Sequence, residues 1–298
     1  MFAQKFVEGL VAGLQIGSIY ALIALGYTMV YGIVKLINFA HGEIIMIGAF
    51  VALAMSNLIG ANPFTMIISM IASSVVCALV AILVEKIAYK PLRNLKRITS
   101  LITAIAMSYL IQNVFMLIEE NQQTSPSFIK FPRVNFGNAS VDLYTTLFTV
   151  GVSILLMVGL MVFVKKTRIG KSMRAVSENM DAAKLMGVNV NTTISITFAL
   201  GAVLAAIGAY FYCLRIPFFK YTFGSIDIGI KPFVAAVVGG IGSFPGAMIG
   251  GYVIGMIESL IGVTEISKWK DVFVFGILIT VLVVKPEGIF GKNVGHKV

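Results

Sequence analysis

The chain has 298 residues, 58% of them hydrophobic and only 12% charged, against roughly 25% charged in a typical soluble domain. With a mean hydropathy of +0.94, it lacks the polar groups to cover a soluble surface, which excludes a soluble enzyme and a nucleic-acid binder. The formal charge of +10 therefore points to loops flanking a membrane.

Apolar runs lie at about 6–33, 37–58, 64–85, 98–118, 142–164, 191–213, 226–262 and 271–285. Most reach the roughly 20 residues that cross a hydrocarbon core. The first is too long for a signal h-region, so a retained span is expected. Such runs predict an all-α polytopic transmembrane helix bundle of about 8 apolar segments, with residues 1–298 forming one membrane-spanning domain. A β-barrel would show short alternating segments instead. Cys77 and Cys213 sit inside apolar runs and read as small core residues.

Positive charge is concentrated in two loops and the tail. Lys86, Lys90, Arg93, Lys96 and Arg97 form one cluster. Lys165, Lys166, Arg168, Lys171, Arg174 and Lys184 form the second; Lys285, Lys292 and Lys297 complete 14 of the 23 basic residues. All are expected on the cytoplasmic side. The 119–141 loop, which holds Glu119, Glu120, Lys130 and Arg133, is expected outside.

Two runs carry interruptions. Lys35-Leu36-Ile37-Asn38 breaks the pattern near 31–57. Gly239-Gly240-Ile241-Gly242-Ser243-Phe244-Pro245-Gly246 breaks the one near 226–262. Crossing parity with a basic tail inside predicts a re-entrant or broken pair at each place, and then an N-terminus inside. The two breaks resemble a degenerate internal repeat of the kind transporters contain. Small-residue ridges at Gly9, Gly13 and Gly17, and at Gly246–Gly250 and Gly251–Gly255, predict close helix packing, within the chain or against a partner.

Asn38-Phe39-Ala40-His41-Gly42-Glu43 is the most unusual intramembrane stretch, because ionisable groups there are costly. One reading is a helix start facing the translocation path, with Asn38, His41 and Glu43 near the substrate. The turn residues Gly240, Gly242 and Ser243 offer polar backbone for the same purpose. The other reading is structural, with Asn38 as N-cap and Glu43 favouring the helix dipole. On a regular helix His41 and Glu43 point about 200° apart. One His and one Glu make a poor metal site, so no metal is expected.

Residues 165–190 form the long polar stretch between two spans. Met173, Val176, Met180, Ala183 and Gly187 fall on one narrow helical face, with Gly187 as C-terminal cap. The pattern alone suits a helix on the lipid surface or one in a partner's groove. Gly170-Lys171-Ser172 lacks the upstream glycine of a phosphate loop, since that position holds Lys165. No means of hydrolysing ATP is visible, and a non-enzymatic transport subunit is expected.

Three segments carry a family resemblance that covers nearly the whole chain. Ile37-Asn38-Phe39-Ala40-His41-Gly42-Glu43 resembles the hallmark of bacterial branched-chain amino acid ABC permeases of the LivH type. Met173-Arg174-Ala175, with Glu178-Asn179-Met180-Asp181-Ala182-Ala183-Lys184-Leu185-Met186-Gly187, is similar to their coupling loop. Gly239 to Ala247 matches a further segment. The resemblance implies an importer of leucine, isoleucine or valine in the bacterial inner membrane, working by alternating access. It implies a second, LivM-like permease, two LivG/LivF-like ABC ATPases carrying ATP and Mg, a periplasmic binding protein and surrounding lipid. It assigns Met173, Arg174, Val176, Glu178, Asn179, Met180, Ala182, Ala183 and Gly187 to ATPase coupling, with no cofactor on this chain. Urea permeases share the first motif, so a same-family permease for urea, short amides or other amino acids remains the alternative; an ion-coupled transporter or channel working alone is the more distant one.

Overall fold

The computed structural model describes residues 2–60, 62–93, 95, 97–126, 132–136 and 139–291, so Lys96, Lys130, Lys292 and Lys297 lie outside the described residues. Eleven α-helices follow in order among them: α1 Phe2–Val34, α2 His41–Ile59, α3 Pro63–Val84, α4 Arg97–Ile118, α5 Leu143–Lys166, α6 Arg168–Glu178, α7 Met180–Leu185, α8 Val190–Cys213, α9 Ile230–Gly239, α10 Phe244–Gly262 and α11 Lys270–Val284. Seven helices are long and apolar enough to cross a membrane. The strands are minor. β1 (Gln123–Thr124) pairs antiparallel with β4 (Phe218–Phe219), and β2 (Val134–Phe136) with β3 (Ala139–Val141).

The chain divides into two compact units. The first comprises Met1–Thr28, Phe131–Val158 and Lys231–Val298; the second comprises Met29–Lys130 and Gly159–Ile230.

In the first unit α1 and α10 lie backbone to backbone. A Cβ on Gly251 would overlap the main chain of Ala21, and one on Gly255 would overlap that of Gly17. Gly9 faces Leu260 and Val263, and Gly13 faces Met256. The glycine ridges therefore serve packing within the chain. Without a hydrophobic driving force in lipid, such close contact supplies the dispersion that holds helices together. Gly246 and Gly250 meet α9 at Gly239 and Ala235 in the same way.

The break near 226–262 is a tight turn between α9 and α10. Gly240 and Gly242 adopt φ of 108° and 94°, a region that side chains avoid. The segment after α11 clasps this turn: Ile289 N–H donates to Val238 O at 2.9 Å, and Phe290 N–H to Gly239 O at 3.0 Å. The other end of α10 lies beside the N-terminus, where Lys5 pairs with Glu265 at 3.3 Å. The N-terminal turn and residues 288–291 thus occupy opposite ends of the first unit. An N-terminus inside together with a tail inside does not fit this geometry. The parity argument counted the 31–57 break as a re-entrant pair, whereas α1 is one helix of 33 residues and α2 a separate one of 19.

In the second unit α2, α3 and α8 pack as a core. Gly48 admits Ala206 and Cys77, Ser73 Oγ donates to Gly48 O at 2.9 Å, and the Cys77 thiol points at Ile44 O at 3.3 Å. Both cysteines are buried and unpaired with each other. Asn62 starts α3 through a capping box with Thr65, and Pro63 occupies its first turn. α3 continues into a π-turn, Glu85–Tyr89, and a 3-10 turn, Lys90–Leu92. α4 stays largely exposed, with Ile98, Ile102, Leu110 and Leu117 uncovered.

Both breaks precede a 19-residue helix. In each, a first-turn glycine presses on another glycine: Gly42 on Gly224, and Gly246 on Gly239.

Candidate functional site

The 165–190 stretch is cut into two helices by its own polar caps. Thr167 Oγ1 accepts from Gly170 N–H at 3.0 Å and starts α6. Asn179 is extended, and its Oδ1 accepts from Asp181 and Ala182 N–H at 3.0 and 2.9 Å, starting α7. Asn189 caps α8 through Thr192 N–H. An Asn side chain competing for backbone donors is why one continuous helix over 173–187 does not form. Gly187 ends α7 at φ 82°. Val188 N–H reaches Ala183 O and Gly187 N–H reaches Lys184 O, both at 3.0 Å, the Schellman pattern.

The apolar face read from the sequence is covered by the chain itself. Met173, Val176 and Ala183 are buried, and Met180 is half-buried. Arg174 donates to Val164 O at 2.9 Å and Lys165 O at 3.0 Å, holding α6 against the end of α5. Gly170 is pressed on the carbonyls of Phe163 and Val164, so Gly170-Lys171-Ser172 is a packing feature. The exposed face is a different one. Leu185 and Met186 are 88% and 84% exposed, flanked by exposed Glu178, Asn179, Asp181, Ala182, Lys184 and Gly187. Two bare apolar side chains at the tip of a polar helical pair are the feature that the periodicity argument missed. They fall off the main stripe, and only burial distinguishes them from it.

Asn38, His41 and Glu43 are all buried at or just before the start of α2, and Asn38 and Glu43 turn to different neighbours. Asn38 is not the N-cap: Ala40 is, without a side-chain bond. The Asn38 carbonyl accepts from His41 N–H at 3.2 Å, and its Oδ1 accepts from the Tyr89 hydroxyl at 2.9 Å. Ser108 on α4 donates to Glu43 Oε1 at 3.0 Å. Glu43 thus faces α4 from a first turn, where the dipole favours its charge. Gly240, Gly242 and Ser243 belong to the first unit. Ser243 caps α10 through Gly246 N–H at 3.3 Å. The neighbouring carbonyls of Val238 and Gly239 are already taken by residues 289 and 290.

Two ion clusters built around a buried glutamate went unremarked in the sequence. In the second unit Glu85, with no exposed surface, pairs with Arg93 and accepts from Ser195 Oγ at 2.7 Å; Arg93 also reaches Asn191 Oδ1 at 2.7 Å. In the first unit Lys231 pairs with Glu258 and, at 2.9 Å, with Asp271, while Tyr20 donates to Glu258. Lys231 and Glu258 lie inside the run that reads as apolar over 226–262. An ionisable residue at such a place was the available signal. Among the described residues no three His, Cys, Asp or Glu side chains converge on a metal position.

A polytopic helical bundle with buried ion clusters and an exposed helical tip is a multi-pass membrane protein. A family model described as "Branched-chain amino acid transport system / permease component" matches residues 9–282, and the chain belongs to that family. It is 39% identical to the high-affinity branched-chain amino acid transport system permease protein BraD of Pseudomonas aeruginosa, over 98% of both chains. It is 37% identical to the corresponding permease LivH of Escherichia coli, again over 98% of both. In fold it resembles PsaBC from Streptococcus pneumoniae, with a TM-score of 0.52 and 15% identity over 97% of this chain and 98% of that one. A metal-chelate type ABC transporter in an inward-facing conformation gives 0.51 and 16% over 92% and 85%.

Proposed function

We infer that this chain is the LivH-like permease subunit of an ATP-driven importer that carries leucine, isoleucine or valine across a bacterial inner membrane. Family membership over residues 9–282 carries this reading. The partners are a LivM-like permease, two LivG/LivF-like ATPases and a periplasmic binding protein. ATP and Mg are held by the ATPases, and this chain performs no catalysis.

The α6–α7 pair is the coupling segment. Its buried stripe anchors it to the bundle, and the exposed Leu185–Met186 tip enters a groove of the ATPase. Closure of the ATPases moves this tip, and alternating access follows. Selectivity lies mainly in the binding protein, and the apolar path suits aliphatic side chains.

Uptake in a bacterial strain lacking its own branched-chain transport tests the reading. The chain, expressed with its neighbouring partner genes, should restore leucine uptake that depends on the binding protein and on ATP. Uptake of urea without leucine would replace the substrate. Transport by the purified chain alone in ATP-free liposomes would replace the class.

A further inference from the structure

A set of contacts within the second unit runs from the start of α8, the helix that follows the coupling segment, to the break ahead of α2. Four residues separate α7 from α8, and the first turns of α8 carry Asn191 and Ser195. Ser195 donates to Glu85 Oε2 at 2.7 Å, Arg93 holds the other oxygen, and Arg93 also donates to Asn191 at 2.7 Å. Glu85 opens the π-turn, and Tyr89 closes it. The Tyr89 ring lies 5.3 Å from that of Phe198 on α8, and its hydroxyl donates to Asn38 at 2.9 Å.

Both ends of the π-turn are sealed, with Glu85 at 0% and Tyr89 at 1% exposure. A buried carboxylate bonded on both oxygens cannot move without carrying its partners, because leaving it unpaired is costly. A π-turn inside an α-helix holds one extra residue and is found often at functional sites. Returning it to α geometry would rotate everything beyond it by about 100°, the turn of one residue. A switch between π and α geometry would supply the two discrete arrangements that a mechanical link requires.

We propose that the π-turn Glu85–Tyr89 transmits the movement of the coupling segment to the break ahead of α2. Glu85 is the positioning residue that grips the start of α8, and Tyr89 the one that grips Asn38. The proposal rests on the coupling role assigned to α6–α7 and adds the route by which that movement reaches the Asn38 segment.

The test uses the complete transporter in lipid nanodiscs, with Lys35→Cys as a reporter in the break. Lys35 is exposed, whereas Cys77 and Cys213 are buried and leave a low background. Maleimide labelling is timed without nucleotide and with ATP plus vanadate. In the parent the rate should change by about threefold or more; with Glu85→Gln or Tyr89→Phe it should stay within about 1.5-fold, while the ATPases remain bound. Glu85→Gln keeps the shape and removes the charge; Tyr89→Phe removes one hydroxyl. If Glu85→Gln fails to assemble, Tyr89→Phe decides. Retention of the full change in the variants, or no change in the parent, overturns the relay. So does failure of both variants to assemble, which makes the π-turn a structural brace. Leu185→Asp separates the two claims. If it leaves the ATPases bound, the coupling role of the tip fails; if it releases them while the variants still respond, only the relay fails.

Discussion

Tyr20 on α1 donates its hydroxyl hydrogen to Glu258 Oε2 on α10 over 2.7 Å, and both side chains are buried. The same carboxylate pairs with Lys231, which also binds Asp271 at 2.9 Å. Taking a carboxylate out of water is costly, and this cluster offsets that cost by bonding both oxygens of Glu258. It ties α1, α9, α10 and α11 of the first unit through one anion.

Removing one member of the cluster should therefore be worse than removing the pair. Lys231→Met alone removes the nearer cation from a buried carboxylate, leaving it Tyr20 and the more distant Lys270 at 3.8 Å, and should destabilise the protein by about 1.5–3 kcal/mol. Lys231→Met with Glu258→Leu should recover most of that loss. Denaturant unfolding in micelles checks the order; equal loss in the single and double variants would show that the pair contributes little.

The coupling segment gives a sharper test than the apolar stripe would. Ala183 is buried and Gly187 sits at φ 82°, so a bulky charge at either damages the loop itself. Leu185→Asp and Met186→Asp touch only exposed side chains. They should abolish co-purification of the ATPases while membrane insertion stays normal. Met173→Asp should instead lower the amount of folded permease.

Glycine substitutions should separate packing contacts from open positions. Gly251→Ala places a methyl against the Ala21 main chain and should cost about 1–3 kcal/mol, the range of overpacking. A methyl group at Gly276 on α11 would meet nothing within 4 Å, and Gly276→Ala should be neutral or slightly favourable. Thermal melting in detergent compares the two directly.

Sidedness follows from the first unit. Single cysteines at Lys5 and Thr264 should label from one side of the membrane, and a cysteine at Gly242 from the other. If the basic tail is inside, the first two are outside. Labelling of position 5 and position 242 from the same side would contradict the packing of α1 along α10.

Hydropathy located most of the spans closely. The runs at 98–118 and 191–213 correspond to α4 at Arg97–Ile118 and α8 at Val190–Cys213. An apolar run of about 20 residues has few alternatives in lipid, where each backbone polar group must be satisfied within its own helix. The breaks at 35–40 and 240–243 were visible for the same reason, through Asn38 and the paired glycines. Three caps inside the 165–190 stretch were visible as residue types. Their effect was not, because Asn179 can either continue a helix or restart one, and the choice depends on where α7 must dock.

The sequence alone determined that this is a multi-pass helical membrane protein with two breaks in its apolar runs and a polar, amphipathic loop, because composition and periodicity are local properties. It also marked Met173, Val176 and Ala183 as an apolar stripe. Only the tertiary structure decided that the bundle covers that stripe and leaves Leu185 and Met186 bare, since periodicity names an apolar face without naming what lies against it. The same limit hid Glu85 from Ser195, 110 residues away, and Lys231 from Glu258, 27 away. Such pairs have no shared period in the chain; they exist because helix packing brings partners from distant segments to a charge it has buried.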